Sequence, residues 1–278
     1  MSLTDSAPLD RWTFERFGLT PTKLGRRLLY KRSPKVFCVS IPKAGTHLLE
    51  RALCLHPALY RKLIPTVSEE NIRKWGGFEK LLRKTRGGQV VVSHLRFTPG
   101  YPEILASSGA AGVFLVRDPH DIVVSQVHYV AKREDHRLHQ LFSEQGNARE
   151  KLRLAITGDR GRGAPSIGER LDYFAGWLDA GCLVIRFEDL VGPSGGGDAV
   201  RQQDAVASLY RHVGLPADAP AIASISDRLF SSESPTFRKG SAGGWRSSFD
   251  PELEALFDEV VGDRPVPYGY QPGGPPPS

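Results

Sequence analysis

The sequence predicts an α/β fold, a single domain on a mainly parallel central sheet with helices on both faces. Three observations carry this expectation. Residues 36–41, 89–93, 112–117 and 182–187 form short apolar runs rich in β-branched side chains. None of them alternates cleanly between polar and apolar positions, which fits strands covered on both faces. Segments of helical period separate the runs, and strand–helix alternation is the pattern of a doubly wound sheet.

Taken in order, the first run leads into Pro42-Lys43-Ala44-Gly45-Thr46-His47 and then the helical stretch LLERAL, so a helix is expected over 45–55. A second helical period covers 68–84. The strand at 89–93 ends directly on His94, and that at 112–117 on Arg117. Asp118 is then a natural N-cap, with Pro119 at the first position of a helix over 119–133. Further helices are expected over 168–178, over 199–213 and from Pro251 onward. The polar, Gly-rich stretches 157–166, 192–198 and 238–244 read as loops, and long loops in such a fold often serve as lids or substrate walls. No internal repeat of fixed period is visible.

Composition narrows the function classes. The chain has 278 residues, 40% apolar and 24% charged, enough for one large core. The domain is expected over 36–262, after a basic arm at 1–35 and before a Pro/Gly-rich tail at 263–278, whose last segment 272–278 reads as disordered. The arm holds eight Lys/Arg against three acids, and the rest of the chain 29 against 28. Basic charge is thus confined to the arm, whereas a nucleic-acid binder would spread a basic stripe over its fold. No run approaches the ~18 apolar residues of a membrane span, and the N-terminus has no secretory h-region. Cys38, Cys54 and Cys182 lack metal-ligand spacing and fit reduced thiols of a cytoplasmic protein.

The chemistry sits just past the strands. A strand, a tight glycine-containing loop and a helix N-terminus make an anion site, to which Lys43 adds a full charge. The same pattern also suits an ordinary turn with a surface lysine. Because the lysine precedes the glycine and no Lys-Ser/Thr pair follows, the loop departs from the GxxxxGK[ST] pattern of magnesium–triphosphate sites. In an open parallel sheet, ligands bind beyond the carboxyl ends of the strands. His94 then faces the crevice of Lys43 and suits a general base, or is a histidine satisfied by backbone. Arg117 and Ser125, two turns into the following helix, could share a phosphate; alternatively the arginine pairs with a carboxylate. Arg238-Lys239-Gly240 is a second cationic loop.

In order along the chain, IPKAGTHLL, VVSHL, FLVRDPHDIVVS, RFEDL and FRKGSAGGW resemble the characteristic blocks of sulfotransferases that use 3'-phosphoadenosine-5'-phosphosulfate. The likeness is to the cytosolic small-molecule class and spans about four fifths of the chain. It implies that Lys43 neutralises the bridging oxygen of the leaving phosphate and that Ala44, Gly45, Thr46 and His47 cradle the 5'-phosphate. Arg117, Ser125, Arg238, Lys239 and Gly240 would hold the 3'-phosphate, and Phe187 would stand at the adenine. His94 would be the general base. The nucleotide would be a co-substrate without a metal, and the partner a small-molecule acceptor whose hydroxyl, or alternatively an amine, receives the sulfuryl group.

Several positions depart from the family pattern. His47 replaces a second threonine, Leu48 the adenine-stacking tryptophan, Phe187 a tyrosine and Val92 a lysine two residues before the histidine. The phosphate grips are therefore expected to be intact and the adenine pocket remodelled, with Trp245 free to be a core residue. RSSFDPELEA matches the family's dimer pattern poorly, leaving the oligomeric state open. Trp75, Phe78, Phe97, Tyr101 and Phe142 could wall an acceptor pocket or belong to the core. His136 and His139 read as part of a solvated helix face. Two other functions compete. A phosphotransferase would need the magnesium site that the loop lacks. A non-catalytic scaffold would have no need of a base beside a phosphate loop.

Overall fold

The computed structural model describes residues 33–229 and 241–271. Five strands form one parallel sheet: β1 (Lys35–Ser40), β2 (Tyr60–Arg61), β3 (Gln89–Ser93), β4 (Ala110–Val116) and β5 (Leu183–Arg186), in the order β2-β3-β1-β4-β5. The register pairs Cys38 with Val92 on one side and with Val113 on the other. Successive side chains of a strand enter opposite layers, so Phe37 and Val39 join one core while Val36 and Cys38 join the other. Two buried layers explain why the strands read as unbroken apolar runs.

The helices follow in chain order: α1 (Thr46–Leu55), α2 (Gly77–Arg83), α3 (Tyr101–Ser108), α4 (Pro119–Ala131), α5 (His139–Ser143), α6 (Ala148–Thr157), α7 (Ile167–Asp172), α8 (Phe187–Leu190), α9 (Ala199–His212), α10 (Ala219–Leu229) and α11 (Pro251–Val261). On one face α1, α9 and α10 bury Leu49, Leu209, Tyr210 and Ile225. On the other, α2, α4, α6 and α11 bury Leu81, Val123, Ile156 and Phe257 around the fully buried Trp177. Trp177 is ringed by Phe37, Phe78, Phe97 and Tyr101, so the aromatic residues offered as an acceptor wall are largely committed to one another.

Where the elements differ from expectation, the causes are local. The helix expected over 68–84 is broken by Gly76 and Gly77, at φ 82° and 88°, into a 3-10 turn at Ile72–Trp75 and α2. That expected over 168–178 ends at Asp172, and a 3-10 turn at Ala175–Asp179 follows. The two-residue β2 is too short to show a period. The helices α3, α5, α6 and α10 add to those expected. Packed structure continues beyond 262: Tyr268 and Tyr270 are buried, and Tyr270 Oη donates to Glu188 Oε2 at 2.7 Å. The Pro/Gly tail therefore starts later than residue 263. The arm up to residue 32 and the segment 272–278 lie outside the described residues.

Candidate active site

The strand order reverses at β1, with β3 on one side and β4 on the other. This is the point at which a doubly wound sheet opens a crevice. The carboxyl ends of these three strands carry Lys43, His94 and Arg117.

The loop after β1 is tight. Ala44 N–H donates to the Ile41 carbonyl at 3.0 Å, and Gly45, at φ 103°, leads into α1. Ala44, expected to cradle an anion, therefore has its N–H engaged inside the turn. The N–H groups of Lys43, Gly45, Thr46 and His47 have no backbone acceptor among the described residues. They form a cradle at a helix N-terminus, where donors and the helix dipole both favour an anion. A Cβ at Gly45 would lie 2.4 Å from Phe187 Cδ2, so only glycine fits. The Thr46 hydroxyl is buried and hydrogen-bonded to Ser40 Oγ at 2.7 Å, and the exposed His47 imidazole stands 3.7 Å from Glu50.

Lys43 reaches across the loop, its Nζ 3.4 Å from the centre of the Tyr129 ring on α4. Burial, followed by the charges of Arg170, Arg117 and Arg133, lowers its pKa to about 8. His94 follows β3, where its N–H donates to the Val67 carbonyl at 2.7 Å. Its Nδ1 lies 2.9 Å from the Ser40 carbonyl, which can only accept, so Nδ1 carries the proton and Nε2 keeps its lone pair. Burial lowers the His94 pKa to about 4, helped by the charges of His47, Lys43 and Arg170 and opposed by the Ser40 hydrogen bond. At neutral pH the ring is uncharged and oriented as a base.

Asp118 caps α4 by accepting from His120 N–H at 2.9 Å, with Pro119 at the first helical position, as expected. Arg117 does more than end a strand. Its Nη1 donates to the Lys43 carbonyl and its Nη2 to the Ser241 carbonyl, both at 3.2 Å. Nη2 is also 3.7 Å from Asp121. The guanidinium lies 4.1 Å from the Phe187 ring centre, and its Nε has no hydrogen-bond partner among the described residues. Phe187 is 2% exposed, so it presents no free face for stacking a base and instead supports Gly45 and Arg117 from behind. Ser125 lies half-buried on α4.

Asp121 ties in the late block. Its carboxylate accepts from Gly243 N–H at 2.8 Å and Trp245 N–H at 3.0 Å. Trp245 is buried, stacks on His120 at 4.1 Å and donates from Nε1 to Asp118 Oδ2 at 2.9 Å. It is a structural residue, as its core reading anticipated. Arg238, Lys239 and Gly240 lie outside the described residues; Ser241, the first described residue after them, accepts from Arg117 Nη2. Asp121 stands within the RDPHD run, but nothing in the linear pattern marks Tyr129 or Arg170 as site residues. Among the described residues, no group of three His, Cys, Asp or Glu side chains could hold a metal ion, none of the three cysteines is in a disulfide, and no helix is long and apolar enough to cross a membrane.

In sequence the chain is similar to a 3-alpha-hydroxysteroid sulfotransferase of Cavia porcellus, 23% identical over 263 residues that cover 84% of each chain. In fold it is similar to a mouse sulfotransferase complexed with PAP, with a TM-score of 0.61 at 20% identity over 88% of this chain and 90% of the other. It is also similar to a retinol dehydratase in a complex with retinol and PAP, with a TM-score of 0.57 at 16% identity over 89% and 86%. No family model matches the chain.

Proposed function

We propose that this chain, which resembles the sulfotransferases in sequence and shares their fold, moves a sulfuryl group from 3'-phosphoadenosine-5'-phosphosulfate to the hydroxyl of a small molecule. The observation that carries the reading is one crevice holding a cradle of unengaged N–H groups, a lysine and a neutral histidine with Nε2 free. The residues fit an anionic nucleotide: an unengaged cradle at a helix start beside Lys43 is an anion site, and Arg117 adds a further cation.

In this reading the cradle holds the 5'-phosphate. His94 Nε2 takes the proton of the acceptor hydroxyl as its oxygen attacks sulfur in line. The bond from sulfur to the bridging oxygen breaks, and Lys43 neutralises the charge left on that oxygen. The products are a sulfate ester and 3'-phosphoadenosine-5'-phosphate. Arg117, Ser125 and the 238–240 loop grip the 3'-phosphate, which selects this donor over ATP. Phe187 acts indirectly, by holding Gly45 and Arg117 in place. Such a transfer depends on positioning and charge stabilisation more than on covalent chemistry. The body, about 36–271, works as one domain in the cytoplasm.

The test is a calorimetric titration with 3'-phosphoadenosine-5'-phosphate and no added metal, with adenosine-5'-phosphate and magnesium-ATP as controls. Preferential binding of the bisphosphate is expected. Preference for magnesium-ATP overturns the reading in favour of phosphoryl transfer, and no binding favours a scaffold.

A further inference from the structure

Arg170 lies on α7, a helix opened by a reciprocal capping box between Ser166 and Glu169, and is 6% exposed. Its Nη2 donates to the Pro42 carbonyl at 2.6 Å and its Nη1 to Gln126 Oε1. Among the described residues no carboxylate pairs with it. A guanidinium withdrawn from water without a counter-charge is costly to fold, so a bare structural tie to two uncharged acceptors is a poor return for it. The next carbonyl along the loop, that of Lys43, is held by Arg117 Nη1 at 3.2 Å. Both carbonyls flanking the Lys43 α-carbon thus point at arginines. Between them Lys43 adopts φ 79°, a left-handed conformation uncommon for a side chain other than glycine, and the sole such case among the described residues. Carbonyls drawn to one side leave the neighbouring N–H groups free for an anion on the other.

We propose that Arg170 is a positioning residue of the sulfuryl-transfer site: with Arg117 it holds the loop carbonyls away from the crevice, keeps Lys43 in its left-handed conformation, and sets an unneutralised charge behind the incoming donor. This rests on the sulfotransferase reading. Its charge also acts on both reactive groups, being one of the causes that lower the proton affinity of Lys43 and of His94. Gln126, next to Ser125 and one turn before Tyr129 on α4, aims the guanidinium.

Two variants separate the fork from the charge. Arg170→Met removes both, while Arg170→Lys keeps the charge and loses the fork. Turnover, donor KM, bisphosphate affinity, melting temperature and the pH dependence of kcat/KM are measured for each. In R170M kcat is expected to fall about 10–100-fold, the scale of a small misplacement of reacting groups. The alkaline limb of kcat/KM should also move to higher pH, because Lys43 loses a repelling neighbour. R170K should keep the limb and still lose turnover. A merely structural arginine would lower the folded fraction and leave the limb where it was, and that result in R170M overturns the proposal. If R170M does not fold, R170K decides, and wild-type kcat in R170K overturns it equally. Wild-type protein that fails to bind the bisphosphate overturns the sulfotransferase reading and this proposal together. Wild-type turnover with indifferent Arg170 variants overturns this proposal alone.

Discussion

His94 illustrates how one hydrogen bond decides a chemical role. The Ser40 carbonyl fixes the proton on Nδ1, and burial keeps the ring neutral, so Nε2 keeps its lone pair throughout the neutral range. His94→Ala is expected to lower turnover by at least ~10² while leaving bisphosphate binding largely intact. Near-normal turnover, followed in a single-turnover assay, would remove His94 from the mechanism. The pH dependence follows from the two shifted groups. In free enzyme His94 must be neutral, which fails as pH falls through about 4, and Lys43 must be charged, which fails as pH rises through about 8. The kcat/KM profile should therefore be a broad bell between these values. An acid limb near the ordinary histidine value instead would mean that His94 is not held as described. Stability carries a matching sign. The unfolded chain binds the His94 proton more tightly, so this residue's contribution is full above about 6.5 and is lost as pH falls toward 4.

At the scale of elements, α4 joins the two halves of the anion site. Arg117 precedes its cap Asp118, and Asp121 lies in its first turn; Arg117 and Asp121 bind the Ser241, Gly243 and Trp245 backbone, while Asp118 accepts from the Trp245 indole. Two blocks 120 residues apart in the chain are therefore one device. Asp121→Ala leaves two backbone N–H groups and Arg117 without their carboxylate, at roughly 1–3 kcal/mol per unsatisfied group. The 3'-phosphorylated nucleotide should lose more affinity than its unphosphorylated analogue, measured side by side by calorimetry. Arg117→Ala should show the same bias, since the 3'-phosphate loses a cation. Equal weakening of both nucleotides would assign Arg117 to the loop carbonyl alone. The first four motifs were legible because each stands at a strand end. The clamp was not, since Asp121 meets Gly243 only after both strands and helices have folded.

For the whole molecule, the core reaches past the expected domain boundary. Glu188 accepts from Asp118 N–H with one oxygen and from Tyr270 Oη with the other, linking the end of β4 to the last packed residues. Truncation after Gly262 removes Tyr268 and Tyr270 from the core. Loss of one large buried aromatic side chain costs about 3–5 kcal/mol. Urea denaturation of the truncated chain should thus show a markedly lower midpoint, and an unchanged midpoint would return the boundary to 262.

The α/β class, the parallel sheet, the glycine-containing loop and the placing of His94 and Arg117 at strand ends could all be read from the chain, because each depends on local pattern: unbroken apolar runs, a glycine at a helix start, a residue at a strand tip. Tertiary structure alone decided which donors of the loop are free, that Phe187 packs against Gly45 and Arg117, and that Arg170 reaches Pro42 from 128 residues away. Those outcomes depend on which groups meet after the layers pack, and hydrogen-bond partners brought together across the fold leave no period or spacing in the sequence that encodes them.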